Sequence, residues 1–177
     1  FSDTTYEQFK NALEELENDG ISSLVIDVRN NGGGYLNSAV SIAELFIEKG
    51  KNVYGLEGKN GTSFYEDKTK TSREYKVAVL MNSGSASASE ILAAALKESY
   101  GATLVGTTSY GKGTVQETAK LETGGMVKVT TAYWLTPNGN KINGKGLTPD
   151  VEANGSYYEN MPYEEDIQLQ SAINTVK

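Results

Sequence analysis

Apolar positions along the chain alternate between helical and strand spacing. Over residues 4–19, Tyr6, Phe9, Leu13 and Leu16 make one stripe at helical spacing. Thr4 and Glu7 stand as a capping box, and Gly20 is placed to end the helix. Residues 22–28, SSLVIDV, are a short, mostly apolar run of the kind found in strands buried on both faces. The loop Arg29 to Gly34 follows, and then a helix over 35–49. That helix carries Leu36, Val40, Ile42, Ala43, Leu45, Phe46 and Ile47, too apolar a set for a surface helix. Runs 53–58 and 62–67 flank Lys59-Asn60-Gly61 and predict a polar, peripheral hairpin. Asp67 to Lys76 reads as a charged surface connection.

A strand over 77–81, a helix over 87–99 and a short strand over 102–106 come next. The loop TTSYGKG, residues 107–113, leads into a second hairpin that pairs 114–121 with 126–135. There Met126, Lys128, Thr130, Ala132 and Trp134 alternate with Val127, Val129, Thr131 and Tyr133. Ile167, Ala172, Ile173 and Val176 predict a closing helix over 166–177. Two strand–loop–helix units, 22–49 and 77–99, with a third strand close behind, imply an α/β fold. Its core is a mostly parallel sheet with flanking helices and added antiparallel hairpins. Ligand chemistry in such sheets gathers at the carboxyl ends of the strands. RNNGGG and NSGSAS both fall there and are expected to face one crevice.

The 177 residues suit a single domain, 1–177, with a sizeable core. A net charge of −7 argues against nucleic acid and anionic membrane as partners, since both call for a basic surface. The chain opens at Phe1 and reads as an excised piece of something longer. It has no cysteine, which removes disulfides, thiolate metal sites and a cysteine nucleophile. It has no histidine either, so a Ser-His-Asp triad cannot form within it and no imidazole metal site exists. No metal and no cofactor is expected.

Candidate chemistry centres on KVAVLMNSGSASASE, residues 76–90. A buried strand delivers Ser83, Ser85, Ser87 and Ser89 to the mouth of a helix, where unpaired N–H groups and the positive dipole end favour developing negative charge. Ser87 and Glu90 also fit a capping box, so a purely structural role competes with a nucleophilic one. Lys112 stands between Gly111 and Gly113. With histidine absent it is the remaining route to an activated serine, provided its surroundings leave the amine neutral. Gln116 is placed to orient that amine. The glycines of RNNGGG bare backbone N–H groups to a substrate carbonyl. The loop lacks the spacing of a phosphate loop, which argues against nucleotide binding. Asp27 reads as a structural residue or a helper of the glycine loop.

Taken in order, LVIDVRNNGGGYL, NSGSASASEILAAALKE, GTTSYGKGTVQE and VTTAYWLTPNGNKINGKGLTPDV resemble the carboxyl-terminal processing peptidases, or tail-specific proteases. The resemblance runs from about Thr4 to Val151. It implies a core related to Clp protease subunits and crotonase, and a serine endopeptidase that cuts protein or peptide substrates near their C-termini. It further implies Ser87 as nucleophile, Lys112 as base and Gln116 as the residue holding Lys112. The oxyanion hole would be formed by the amides of Ala88 and Gly33, with Gly32 the alternative glycine. Members usually carry a PDZ domain, and often a signal peptide or membrane anchor. The resemblance thus implies a PDZ domain elsewhere in the full-length chain and an extracytoplasmic location. A second copy of the chain, as a homo-oligomer, is a further partner to test. Two other readings stand beside it: a catalytically silent module of the same fold binding peptides or ligands, and a crotonase-like acyl-CoA enzyme.

Overall fold

A computed structural model describes residues 1–177. Four parallel strands make the central sheet, in the order β1 (Ser23–Asp27), β4 (Lys76–Met81), β5 (Thr103–Gly106) and β8 (Val151–Glu152). Alternation along β4 explains how this sheet is covered. Val77, Val79 and Met81 enter one core with Leu13, Ile42, Phe46, Leu92 and Leu96, whereas Ala78 and Leu80 enter a second with Val105, Ala172 and Val176. Helices α1 (Thr5–Asn18), α2 (Leu36–Ala43) and α3 (Ala88–Ala95) serve the first core, and α4 (Ile167–Val176) serves the second. The sheet is therefore apolar on both faces, as the runs SLVID and KVAVLM predict.

The remaining strands, β2 (Asn52–Gly58), β3 (Gly61–Glu66), β6 (Thr114–Lys120) and β7 (Met126–Leu135), join in one antiparallel sheet ordered β3-β2-β7-β6. This corrects the expectation of a peripheral first hairpin. β2 pairs with β7 as well as β3, Val53 is fully buried, and Tyr54 stacks on Tyr65 with its edge to Trp134. Short-range turn signals revealed the hairpin but carried no information about its second neighbour.

Other boundaries move for identifiable reasons. α2 ends at Ala43, and the apolar residues beyond it, Leu45, Phe46 and Ile47, are buried from turns instead. After α3 the chain widens into a π turn over Leu96–Tyr100 and stops at Gly101, which has φ 100°. Thr4 occupies the N-cap of α1, but its side chain makes no capping hydrogen bond, so the Thr4–Glu7 box does not form. The connection 67–76 is less superficial than its charge implies. Asp67 is buried and accepts from the Thr69 amide and hydroxyl, and Arg73 reaches Glu17 at the end of α1.

Candidate active site

The four serines of the central motif have different fates. Ser85 is buried and donates to the Val28 carbonyl at 2.7 Å, which joins the ends of β4 and β1. Ser89 donates to the Asn31 carbonyl at 2.8 Å, also from a buried position. Ser83 lies exposed in the turn. Ser87 is half-buried, at the N-cap of α3, with φ 57° and ψ −118°. A positive φ at a residue other than glycine, asparagine or aspartate is uncommon, and strain of this kind collects at functional positions. The sharp bend lifts Ser87 out of the line from strand to helix. The next amide, that of Ala88, is the first N–H of α3 and has no intrahelical acceptor.

The glycine loop meets this bend. Asn31 accepts from the Ala86 amide at 3.0 Å as well as from Ser89, and Asn30 and Asn82 exchange two hydrogen bonds of 2.9 Å. Gly33, with φ 97°, lies against the bend itself. A Cβ there would come within 2.7 Å of the Ala86 carbonyl oxygen and 2.8 Å of the Ser87 Cβ. RNNGGG and NSGSAS thus share a crevice at the carboxyl ends of β1 and β4. The Gly33 amide points to the Asn31 side chain, donating to Oδ1 at 3.0 Å, so that donor is engaged within its own loop. Gly32 has open space around its Cβ position.

Glu90 joins the third loop to the other two. It is the carboxylate of the Ser87–Glu90 capping box, taking the Ser87 amide on Oε2 at 2.9 Å. The same oxygen accepts the Lys112 amide at 2.9 Å, while Oε1 accepts the Ser109 hydroxyl at 2.6 Å and the Gly111 amide at 2.7 Å. The side chain is 1% exposed, and these four hydrogen bonds are what permit its burial. The Glu90 half of the capping box forms, the Glu90 amide donates to the Ser87 carbonyl, and the carboxylate also receives residues 109–112. The glycines around Lys112 serve close packing: a Cβ on Gly111 would sit 2.8 Å from the Gly146 nitrogen, and one on Gly113 would overlap Asn143.

The structure brings the backbones of Ser87 and Lys112 to one oxygen but leaves the side chains apart. Lys112 and Gln116 are both exposed, and no hydrogen bond joins Lys112 Nζ to Ser87 Oγ or to Gln116. Gln116 stands at a β-bulge, where Val115 pairs with Ala132 and Gln116 with Thr130, leaving Thr131 as the extra residue. Such bulges re-aim side chains. A polar hollow of about 350 Å³ opens beside the motif, lined by Ser83, Thr107, Thr108, Thr148, Pro149, Glu152 and Asn154.

Asp27 helps the loop as well as the fold. It accepts the Arg29 amide at 2.9 Å and pairs with the Arg29 guanidinium at 2.6 Å, just before the glycines begin.

The fold and the bend at Ser87 are those of an α/β protein with its candidate chemistry at the carboxyl ends of parallel strands. The chain belongs to peptidase family S41, whose model matches residues 1–153. It is 42% identical over 167 residues to the carboxy-terminal processing protease CtpA of Bacillus subtilis (strain 168), covering 92% of this chain and 35% of that protein. It is 39% identical over 164 residues to a probable CtpA-like serine protease of Staphylococcus aureus (strain N315), covering 91% of this chain and 33% of that protein. Among solved structures, the photosystem II D1 C-terminal processing protease superposes with a TM-score of 0.83 at 35% identity, over 87% of this chain and 40% of that one. The chain therefore spans about a third of the length of the curated relatives it matches.

Proposed function

We propose that this chain carries the catalytic centre of a serine endopeptidase that cleaves protein substrates near their C-termini through a Ser-Lys dyad. The observation that carries the reading is Ser87 held at a strained bend, with the Lys112 loop tied to the same carboxylate. The C-terminal processing named for the relatives supports the substrate class.

In this mechanism the neutral amine of Lys112 takes the proton of the Ser87 hydroxyl as Oγ bonds to the scissile carbonyl carbon. The amides of Ala88 and Gly33 stabilise the resulting oxyanion, and losing one such donor lowers turnover by about 100- to 1000-fold. Lys112 then protonates the leaving amine as the C–N bond breaks, giving an acyl-enzyme. Water, deprotonated by the same amine, attacks the ester carbon, and the resulting ammonium returns the proton to Ser87 Oγ as the acyl C–O bond breaks, which frees the product acid and restores the dyad. Two rearrangements complete the site when substrate enters. The flexible stem of Lys112 swings from solvent toward Ser87, where Gln116 holds it, and the Gly33 amide leaves Asn31. An extracytoplasmic location and a PDZ domain in the full-length chain belong to the same proposal and rest on the family resemblance.

A peptidase assay with Ser87→Ala and Lys112→Ala, in an active form of the protein, tests the reading. Both variants are expected to fold and to lose cleavage. Retained cleavage by either one excludes the dyad.

A further inference from the structure

The glycine loop is held on one side by Ser87 and its neighbours and on the other by Arg29. Between them Asn30 has φ 55°, Gly33 φ 97° and Gly34 φ 136°, outside any strand or helix, and the Asn30–Asn82 pair and the Asn31 carbonyl tie this stretch to the Ser87 side. Arg29 anchors the other end, where the loop starts. Its side chain is only 2% exposed, and its guanidinium is fully engaged. Nε donates to both oxygens of Asp27 at 3.0 Å. Nη2 donates to Asp27 Oδ2 at 2.6 Å and Asp166 Oδ2 at 2.8 Å, and Nη1 to Asp166 Oδ1 at 2.8 Å and Gln168 Oε1 at 3.2 Å. The Tyr157 ring lies 3.8 Å beneath the guanidinium carbon. A planar fork gripped by two carboxylates and set over a ring is strongly restrained.

The far end of this grip is equally fixed. Asp166 is the N-cap of α4, accepting the Leu169 amide at 2.9 Å, and Gln168 donates to the Ala153 carbonyl at 2.9 Å. Both residues lie beyond residue 153, where the family match ends. α4 is packed through Ala172 and Val176 on the face of the sheet opposite α1, α2 and α3. A rigid line thus runs from a helix on one face of the sheet to the first residue of the glycine loop.

We propose that Asp166 is a positioning residue for the reaction: by gripping Arg29 it sets where the glycine loop stands against Ser87. The proposal rests on the peptidase reading. Its effect falls on the transition state, because the loop's amides meet a charge that exists only there, and small misplacement of such donors is costly in rate.

The test is Asp166→Asn and Arg29→Lys in an active form of the protein, at a temperature where circular dichroism shows the variants folded. Asparagine still caps a helix, so α4 keeps its start. Lysine keeps the charge and loses the fork. Each variant is expected to lower kcat by about 10- to 100-fold with KM within about twofold, the pattern of a lost transition-state interaction. Affinity for a peptide aldehyde, which forms a tetrahedral adduct on serine, is expected to fall with kcat, and affinity for the product peptide to hold. A kcat within twofold of the parent in a folded variant overturns the proposal, as does an equal loss of product affinity. A parent that cleaves beside unaffected variants overturns the brace alone. A parent in which Ser87 never reacts overturns the peptidase reading and the brace with it.

Discussion

The backbone amides of Ser87 and Lys112 donate to the same oxygen, Glu90 Oε2, each at 2.9 Å. Candidate nucleophile and candidate base lie 25 residues apart in the chain, yet their relative placement depends on one buried carboxylate. All four of its partners are donors.

Glu90→Gln therefore puts an amide NH2 where a donor already points. The chain stays nearly isosteric, but one of the loops must give way. Turnover is expected to fall by about 10- to 100-fold, on the scale of a small misplacement of reacting groups. Comparing kcat/KM of the folded variant with that of the parent checks this. Activity within twofold of the parent would mean that Glu90 does no more than cap α3.

Gly33 and Gly32 offer a paired test of the glycine loop. Gly33→Ala sets a methyl against the Ala86 carbonyl and the Ser87 Cβ at a φ of 97°, so the bend and loop must separate. Activity is expected to be lost, with a backbone cost of about 1–2 kcal/mol in stability. Gly32→Ala meets nothing within 4 Å and is expected to be close to neutral in both. Equal effects at the two positions contradict the placement of Gly33 against the nucleophile.

Asp166 also gives the fold an acid-sensitive joint. Its hydrogen bonds from Arg29 hold its carboxyl below the usual carboxylate range, against the opposing effect of burial. A carboxyl whose folded value is depressed contributes stability that is fully present above the unfolded value of about 3.9 and is lost as pH falls through the folded one. Glu17, lowered by its hydrogen bond from Arg73, acts in the same direction. Melting temperature is expected to drop as pH falls below about 4, and less steeply in Asp166→Asn, which has no proton to take up there. Parallel acid limbs for the two proteins would contradict the assignment.

Phe46 ties three separate stretches together. It is fully buried and meets Phe9 of α1, Tyr75 and Tyr100 edge-on, with ring centroids 6.2, 6.5 and 5.6 Å away. Phe46→Ala is expected to cost about 3–5 kcal/mol in a denaturant melt, since these rings come from elements that cannot collapse together. A loss below 1 kcal/mol contradicts that packing.

What could be read in the sequence was whatever repeats or sits nearby along the chain. The stripe of Tyr6, Phe9, Leu13 and Leu16 predicts α1, and the run 77–81 predicts a central strand, because burial periodicity is written locally. The convergence of RNNGGG and NSGSAS followed from a topological rule, since both lie at carboxyl ends of parallel strands. The wider role of Glu90 was hidden, because its other partners at 109–112 approach only once β5 and the following loop are in place. Arg29 and Asp166 stand 137 positions apart, and no spacing pattern links an arginine to one carboxylate among many. The pairing of β2 with β7 is not legible for a related reason: turn residues specify which strands form a hairpin, not which third strand lies alongside. The proposed reach of Lys112 to Ser87 has no signature in the arrangement of either loop, where the Lys112 side chain is exposed.

The proposed chemistry depends on activation of Ser87 by Lys112. It is tested most directly by treating an active form of the protein with a fluorophosphonate and locating the adduct by mass spectrometry. A single covalent adduct on Ser87 is expected, formed by the parent and lost in Lys112→Ala with the fold intact. An adduct on another serine, or labelling of Ser87 at an unchanged rate without Lys112, would contradict it.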